Sequence, residues 1–175
     1  MTIRVQDLGK TAEDLITRPV GRRYYSAAMK RIGSAMKGEV IVLDFEGIRV
    51  MDPSFADEFM VKMVDASREK DFYVRLKNLS RSTEGNVRTV FDSYAEYAGR
   101  EYVLPVEEAL SDGTNYLGRM DRTAREVLDF IRVQKSVPRE LVLEKYPGCD
   151  AILTHLEELR LIRADEHEAR YYPVL

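Results

Sequence analysis

The sequence predicts two domains in tandem: an α/β domain built on a mostly parallel sheet, then a small α+β domain of three helices and a terminal hairpin. Three observations carry this. Through the first hundred or so residues, short apolar runs alternate with stretches of helical period, the pattern of strands joined by crossover helices. After residue 118 the order changes to consecutive helical segments closed by two short strand-like ones. Between them, residues 105–118 (PVEEALSDGTNYLG) hold a Pro, two Gly and the turn-prone Ser111-Asp112-Gly113. The division is therefore 1–106, a linker at 107–118, and 119–175.

Taken in order, residues 2–5 form a short strand. Residues 21–36 form a helix with Tyr25, Met29, Ile32 and Met36 on one stripe. The continuous apolar run Val40-Ile41-Val42-Leu43 within 39–45 suits a strand covered on both faces. A helix at 53–67 turns Phe55, Phe59, Met63 and Val64 inward, and FYVRLK at 72–77 alternates as a half-buried strand does. A helix at 83–98 aligns Val87, Val90, Phe91, Tyr94 and Ala98, with Gly99 placed to end it. YVLPV at 102–106 is the last strand of this half.

In the second half, 121–135 places Ala124, Val127, Leu128 and Ile131 at helical spacing. A second helix has Pro138 at its first position and stops at Pro147-Gly148. A third carries Ile152, Leu153, Leu156 and Leu159. Two short strands then flank the acidic turn Asp165-Glu166-His167-Glu168.

Composition narrows the function classes. Hydrophobic residues at 45% and charged residues at 33% describe an ordinary globular chain. With 27 Lys and Arg against 30 Asp and Glu, the net charge is -3, and no global field draws it to nucleic acid or anionic lipid. No apolar run reaches the ~18 residues of a membrane span, the start has no signal-peptide core, and the lone Cys149 forbids an internal disulfide. The expectation is a cytoplasmic protein without a membrane partner.

The densest functional signal lies at the end of the apolar strand, in VIVLDFEGIRVMDPSFADEFM (residues 40–60). The loop after such a strand sits at the carboxyl edge of the sheet, where open α/β folds place functional groups. Two cappings compete there. Asp52 can cap the helix with Pro53 in its first turn; alternatively Ser54 is the cap and Asp57 completes a capping box. In the first case Ser54 lies among free amides, in a field that favours a phosphate. Asp57 and Glu58 suit the same dipole but repel that phosphate.

The same stretch resembles the STAS-like domains related to anti-sigma-factor antagonists. The likeness runs through Leu43-Asp44-Phe45 at the strand end, an apolar residue before Asp52, and the helix start Ser54-Phe55-Ala56-Asp57-Glu58. GRRYYSAAMKRI resembles the helix ahead of the core strand, so the similarity spans roughly residues 1–105. In the antagonists the turn reads Asp-Ser-Ser-Gly, and its second Ser is phosphorylated by a partner serine kinase; Ser54 matches that position. Here Pro53 replaces the first Ser and Phe55 the Gly. The resemblance implies a protein-interaction domain with Asp52, Ser54, Asp57 and Glu58 at its partner or phospho-switch surface, and a serine kinase or sensor protein as partner.

HLEELRLIRADEHEARYYPV (155–174) is similar to the last helix and wing of winged-helix domains, with Arg160 where a Gly usually stands. Duplex binding needs cations for phosphates. Residues 119–175 hold ten Arg and Lys against eleven Asp and Glu, a net of -1. Asp150, Glu157 and Glu158 occupy the recognition-helix region. Arg119, Arg122, Arg125, Arg160, Arg163 and Arg170 are the candidate nucleic-acid contacts. The charge favours a protein-contact or homodimer element over a DNA reader.

Catalytic chemistry has little to build on. The only histidines are His155 and His167, and nothing in the sequence brings either to Ser54. Cysteine and histidine are too few for zinc, and the glycines are scattered; Asp44, Glu46 and Asp52 are either a magnesium-type oxygen cluster at the strand edge, the seed of an enzyme, or ordinary strand-end acids, the favoured reading. Cys149 precedes a helix whose amides can lower its pKa, but an inert structural thiol is the favoured reading. Arg18, Arg22 and Arg23 around Gly21 are either an anion-holding group or a solvated helix start. The expected function is non-enzymatic, without metal or cofactor: a STAS-like signalling domain coupled to a winged-helix output. The alternative is a DNA-binding transcription regulator whose first domain senses a ligand or dimerises.

Overall fold

In the computed structural model, which describes residues 1–9, 13–33, 37–165 and 167–175, the chain divides into two units, Met1–Arg119 and Met120–Leu175. The first unit opens with β1 (Thr2–Arg4), a 3-10 turn (Val5–Leu8), β2 (Asp14–Leu15) and α1 (Arg18–Ile32). It continues through β3 (Val40–Asp44), β4 (Val50–Met51), α2 (Pro53–Ala56), a π turn (Asp57–Val61) and α3 (Lys62–Lys70). β5 (Tyr73–Lys77), α4 (Arg81–Tyr97), β6 (Leu104–Pro105) and β7 (Tyr116–Leu117) complete it.

β3 is the central strand of a parallel sheet of order β1-β3-β5, with Leu43 opposite both Ile3 and Leu76. Ile41, Val42 and Leu43 are all buried, as a strand covered on both faces requires. β2 and β4 form a separate parallel pair that joins Leu15 to Met51, both wholly buried. Neither of these two-residue strands is long enough to show a period in the sequence.

The first helix begins at Arg18, not residue 21, because Pro19 fits a first turn and the Thr17 amide finds an acceptor outside the helix. Its core face is Gly21, Tyr24, Ala28 and Ile32. Tyr25 and Met29 only flank that face, and Met36 lies outside the described residues. Gly21 sets the stripe: a Cβ there would lie 2.9 Å from Glu58 Cβ and 3.0 Å from the Phe55 carbonyl oxygen. Only a glycine lets α1 approach the helix start this closely.

The helical stretch from Pro53 to Lys70 buries Phe55, Phe59, Met63 and Val64, and also Ala56, Met60 and Val61. The π turn inserts an extra residue and rotates the inward face, which widens the apolar stripe beyond a regular 3.6-residue period. On α4, Val87, Val90 and Phe91 are buried, Tyr94 is half-buried, and Ala98 is exposed just past the helix end. Gly99 follows at φ +59°, a left-handed helix end.

Residues 102–106 form less strand than expected. β6 pairs antiparallel with β7, and Val106 alone adds a parallel bridge to Leu76. Residues 107–118, read as a linker, carry the return arm of this hairpin, with Leu110, Tyr116 and Leu117 buried. Ser111-Asp112-Gly113 is therefore a turn within the unit. The buried Glu84 holds it, accepting from the Ser111 amide at 3.2 Å and the Ser111 hydroxyl at 2.6 Å.

The second unit comprises α5 (Arg122–Gln134), β8 (Val137–Pro138), α6 (Arg139–Lys145), α7 (Asp150–Glu158), β9 (Ile162–Asp165) and β10 (Arg170–Pro173). Asp121 caps α5 through the Ala124 amide at 3.0 Å. Pro138 stands one residue ahead of α6 because Val137–Pro138 is claimed by the sheet, order β8-β10-β9, antiparallel throughout. Ala124, Val127, Leu128, Ile131, Leu153 and Leu156 meet in its core, whereas Ile152 is only half-buried. Arg160 adopts φ +60°, the left-handed conformation usually taken by glycine, and Glu166 of the turn lies outside the described residues. Cys149 is buried, and burial raises its thiol pKa, in line with an inert structural thiol and not with activation by the helix start. Among the described residues no helix is long and apolar enough to cross a membrane.

Candidate functional site

The junction after β4 resolves the capping alternatives. Asp52 is the cap: its Oδ1 accepts from the Phe55 amide at 2.6 Å. Its Oδ2 accepts from the Thr17 amide at 3.1 Å, so one carboxylate ties the starts of α1 and α2 together. Thr17 sits at φ 72°, ψ 145°, a conformation that a β-branched residue rarely adopts. Asp52 is thus occupied by two backbone amides. Asp57 accepts from Arg18 and Tyr94, and among the described residues it completes no capping box with Ser54.

Asp57 is held from both sides. Arg18 Nη1 donates to its Oδ2, and the Tyr94 hydroxyl donates to its Oδ1 at 2.7 Å. The hydrogen bond to this carboxylate, with burial second, pushes the Tyr94 hydroxyl up to about 12. Glu58 accepts from Lys62 Nζ at 2.6 Å and lies 3.6 Å from Arg18 and 3.8 Å from Arg22. Lys62 chiefly, then Arg22 and Arg18, hold its carboxyl below the usual range against the opposing effect of burial. Both carboxylates are largely shielded, at 17% and 13% exposure, while Arg18 keeps 52%. Two acids thus face three cations, and the repulsion they would exert on a neighbouring phosphate is compensated.

Beside this cluster, Ser54 opens onto a cleft of about 380 Å³ formed with Arg18, Asp57, Thr89, Ser93 and Tyr94. Among the described residues, the Ser54 hydroxyl has no hydrogen-bond partner. The cleft is rich in hydroxyls and carries one guanidinium. It can hold a polar or anionic group.

The structure groups the sequence-derived site residues unevenly. Arg18 and Arg22 join Asp57 and Glu58, whereas Arg23 turns to another cleft beside Tyr24. Asp44 accepts from Asn78 Nδ2 at 2.7 Å and the Glu46 amide at 3.0 Å, Glu46 lies 3.5 Å from Arg4, and Asp52 serves the two helix starts. These three acids are engaged separately. Sequence reasoning placed Tyr94 in the core and passed over Thr89, Ser93 and Lys62. Thr89 and Ser93 form a hydroxyl pair at helical spacing on α4, but no local feature ties that face to Ser54, more than thirty positions earlier.

The six candidate nucleic-acid arginines have different surroundings. Arg119 belongs to the first unit and pairs with Asp92 at 3.0 Å. Arg122 pairs with Glu126 at 2.9 Å, and Arg170 donates to the Ser136 hydroxyl at 2.9 Å. Arg125 Nε is buried without a hydrogen-bond partner among the described residues, whereas Arg160 and Arg163 are engaged. In the second unit, His155 stands 3.9 Å from Glu158, and His167 lies in the hairpin turn.

Residues 30–85 match the family model of a STAS-like domain of unknown function (DUF4325). The matched segment runs from the end of α1 through β3, the Asp52–Glu58 junction and β5 into α4; Arg18, Arg22 and Tyr94 lie outside it. No curated protein and no solved structure matches the chain.

Proposed function

We propose that the first unit is a regulatory protein-interaction domain whose partner surface is the helix start from Asp52 to Glu58, flanked by Arg18 and Arg22. Ser54 is its switch, phosphorylated by a partner serine kinase, and the second unit carries the output as a winged helix. One observation carries the reading: beside an unpartnered serine hydroxyl, an Arg18 guanidinium is held by an ion pair that a stronger anion can compete for. A phosphoryl group on Ser54 would draw Arg18 from Asp57 and change the charge of the whole face. The STAS-like match over residues 30–85 agrees with an interaction domain. Three helices with an antiparallel β8-β10-β9 sheet support the winged-helix reading. The net charge of -1 over residues 119–175 favours protein contact over duplex binding.

The test is to purify the full chain from its own cells with phosphatases inhibited, map phosphoryl groups by mass spectrometry, and identify the stoichiometric partner. The expected result is a phosphoryl group on Ser54 and a partner retained by Ser54→Ala but released by Ser54→Glu. A partner whose retention is indifferent to substitution at Ser54, Asp57 and Glu58 overturns the reading.

A further inference from the structure

A second cleft, of about 540 Å³, lies on the other side of α1 from the Asp57–Glu58 cluster. Arg18 and Arg22 share one helical face; Val20 and Tyr24, two residues on from each, fall on the opposite one. The apolar walls are Leu8, Ile16 and Val20, and Ile16 remains 49% exposed. The size lies within the roughly 300–1,000 Å³ of small-molecule pockets.

Two residues with polar side chains, Tyr24 and Arg23, line this cleft. Tyr24 is only 4% exposed, and its hydroxyl is buried without a hydrogen-bond partner among the described residues. Such a group costs free energy unless something fills its valence. Gly9 makes room for it, since a Cβ at that position would lie 2.2 Å from the hydroxyl oxygen. Arg23 lines the same cleft, is exposed, and has no ion pair among the described residues. The one acid at the rim, Asp14, is already neutralised by Arg49 through contacts of 2.9 and 2.5 Å.

We propose that this cleft is a binding site for a small amphipathic carboxylate. The apolar body lies along Leu8, Ile16 and Val20, and the carboxylate accepts from the Tyr24 hydroxyl and pairs with Arg23. Among the described residues the cleft offers one cation and one hydroxyl, which suit the single charge and two oxygens of a carboxylate; a phosphate dianion would need a second cation. The Tyr24 ring meets Phe55 edge-on at 5.3 Å, so the occupant touches the residue packed behind the Ser54 helix start. The site uses different residues from the proposed partner surface and stands independently of it.

The experiment is calorimetric titration of the full chain with octanoate, with 1-octanol as the uncharged comparison. Saturable octanoate binding is expected, about tenfold weaker in Arg23→Gln and about three- to tenfold weaker in Tyr24→Phe. Octanol binding is expected to be insensitive to Arg23→Gln. Without ligand, Tyr24→Phe is expected to raise the thermal midpoint, because it removes an unsatisfied hydroxyl and keeps the ring. Absence of saturable octanoate binding, or binding that both variants leave unchanged, overturns the proposal.

Discussion

Replacing Asp52 by alanine removes the one side chain that serves both helix starts. The lost cap on the Phe55 amide is worth about 1 kcal/mol. The bond to the Thr17 amide adds about 0.5 kcal/mol, a value at the low end because Thr17 is exposed and water can replace the acceptor. Freed of its acceptor, Thr17 can leave its strained conformation, which returns part of the loss. The expected destabilisation by Asp52→Ala is therefore about 1–1.5 kcal/mol. Asp52→Ser keeps a capping oxygen but falls short of Thr17, so about 0.5 kcal/mol is expected. Thr17→Gly, which relaxes the strain directly, is expected to stabilise by up to about 1 kcal/mol. Urea unfolding followed by far-ultraviolet circular dichroism measures the series, and amide exchange at Phe55 reports the local opening. If Asp52→Ser is as damaging as Asp52→Ala, or if Asp52→Ala leaves Phe55 protection unchanged, the double-clamp account is wrong.

Two further expectations rest on the same cluster. Tyr94 titrates in the fold at about 12, against an ordinary value of 10.0. The protonated form is favoured on folding, so its contribution is complete below pH 10 and is lost as pH rises from there towards 12. Asp57→Asn should bring the transition back towards 10, read as the tyrosinate absorbance difference against Tyr94→Phe. Gly21→Ala gains about 1 kcal/mol of helix propensity but forces a Cβ against the Phe55 carbonyl and Glu58. Overpacking of this kind costs about 1–3 kcal/mol, so a lower thermal midpoint is expected, with Gly21→Ser no better.

The parts of the fold that could be read from the chain are those in which neighbouring residues share one environment. Val40–Leu43 is a buried strand because four consecutive apolar residues leave no face for water. Phe55, Phe59 and Met63 face inward because spacings of four keep them on one side of a helix. On α1 the expected stripe kept Ile32 but took Tyr25 and Met29 for Tyr24 and Ala28, because apolar side chains were followed and Gly21 has none. In the fold it is the contact point with Phe55 and Glu58. The turn at Ser111-Asp112-Gly113 resembled a joint because turn chemistry is the same within a domain and between domains. Buried Glu84, far off in sequence, decides between them.

The candidate site divides along the same line. The sequence by itself determined that a helix starts at Asp52-Pro53-Ser54 beside two acids, because capping and dipole preferences act within one turn. Which carboxylate caps, which cations neutralise the acids, and whether a serine faces a cleft were left to tertiary structure. Arg18, Asp57 and Tyr94 lie nearly forty positions apart in turn, yet hydrogen bonds place them together. Local propensity reaches only as far as a few residues along the backbone. Charge and hydrogen bonding act through space, and only the packing of α1 and α4 around the helix start brings these partners within range.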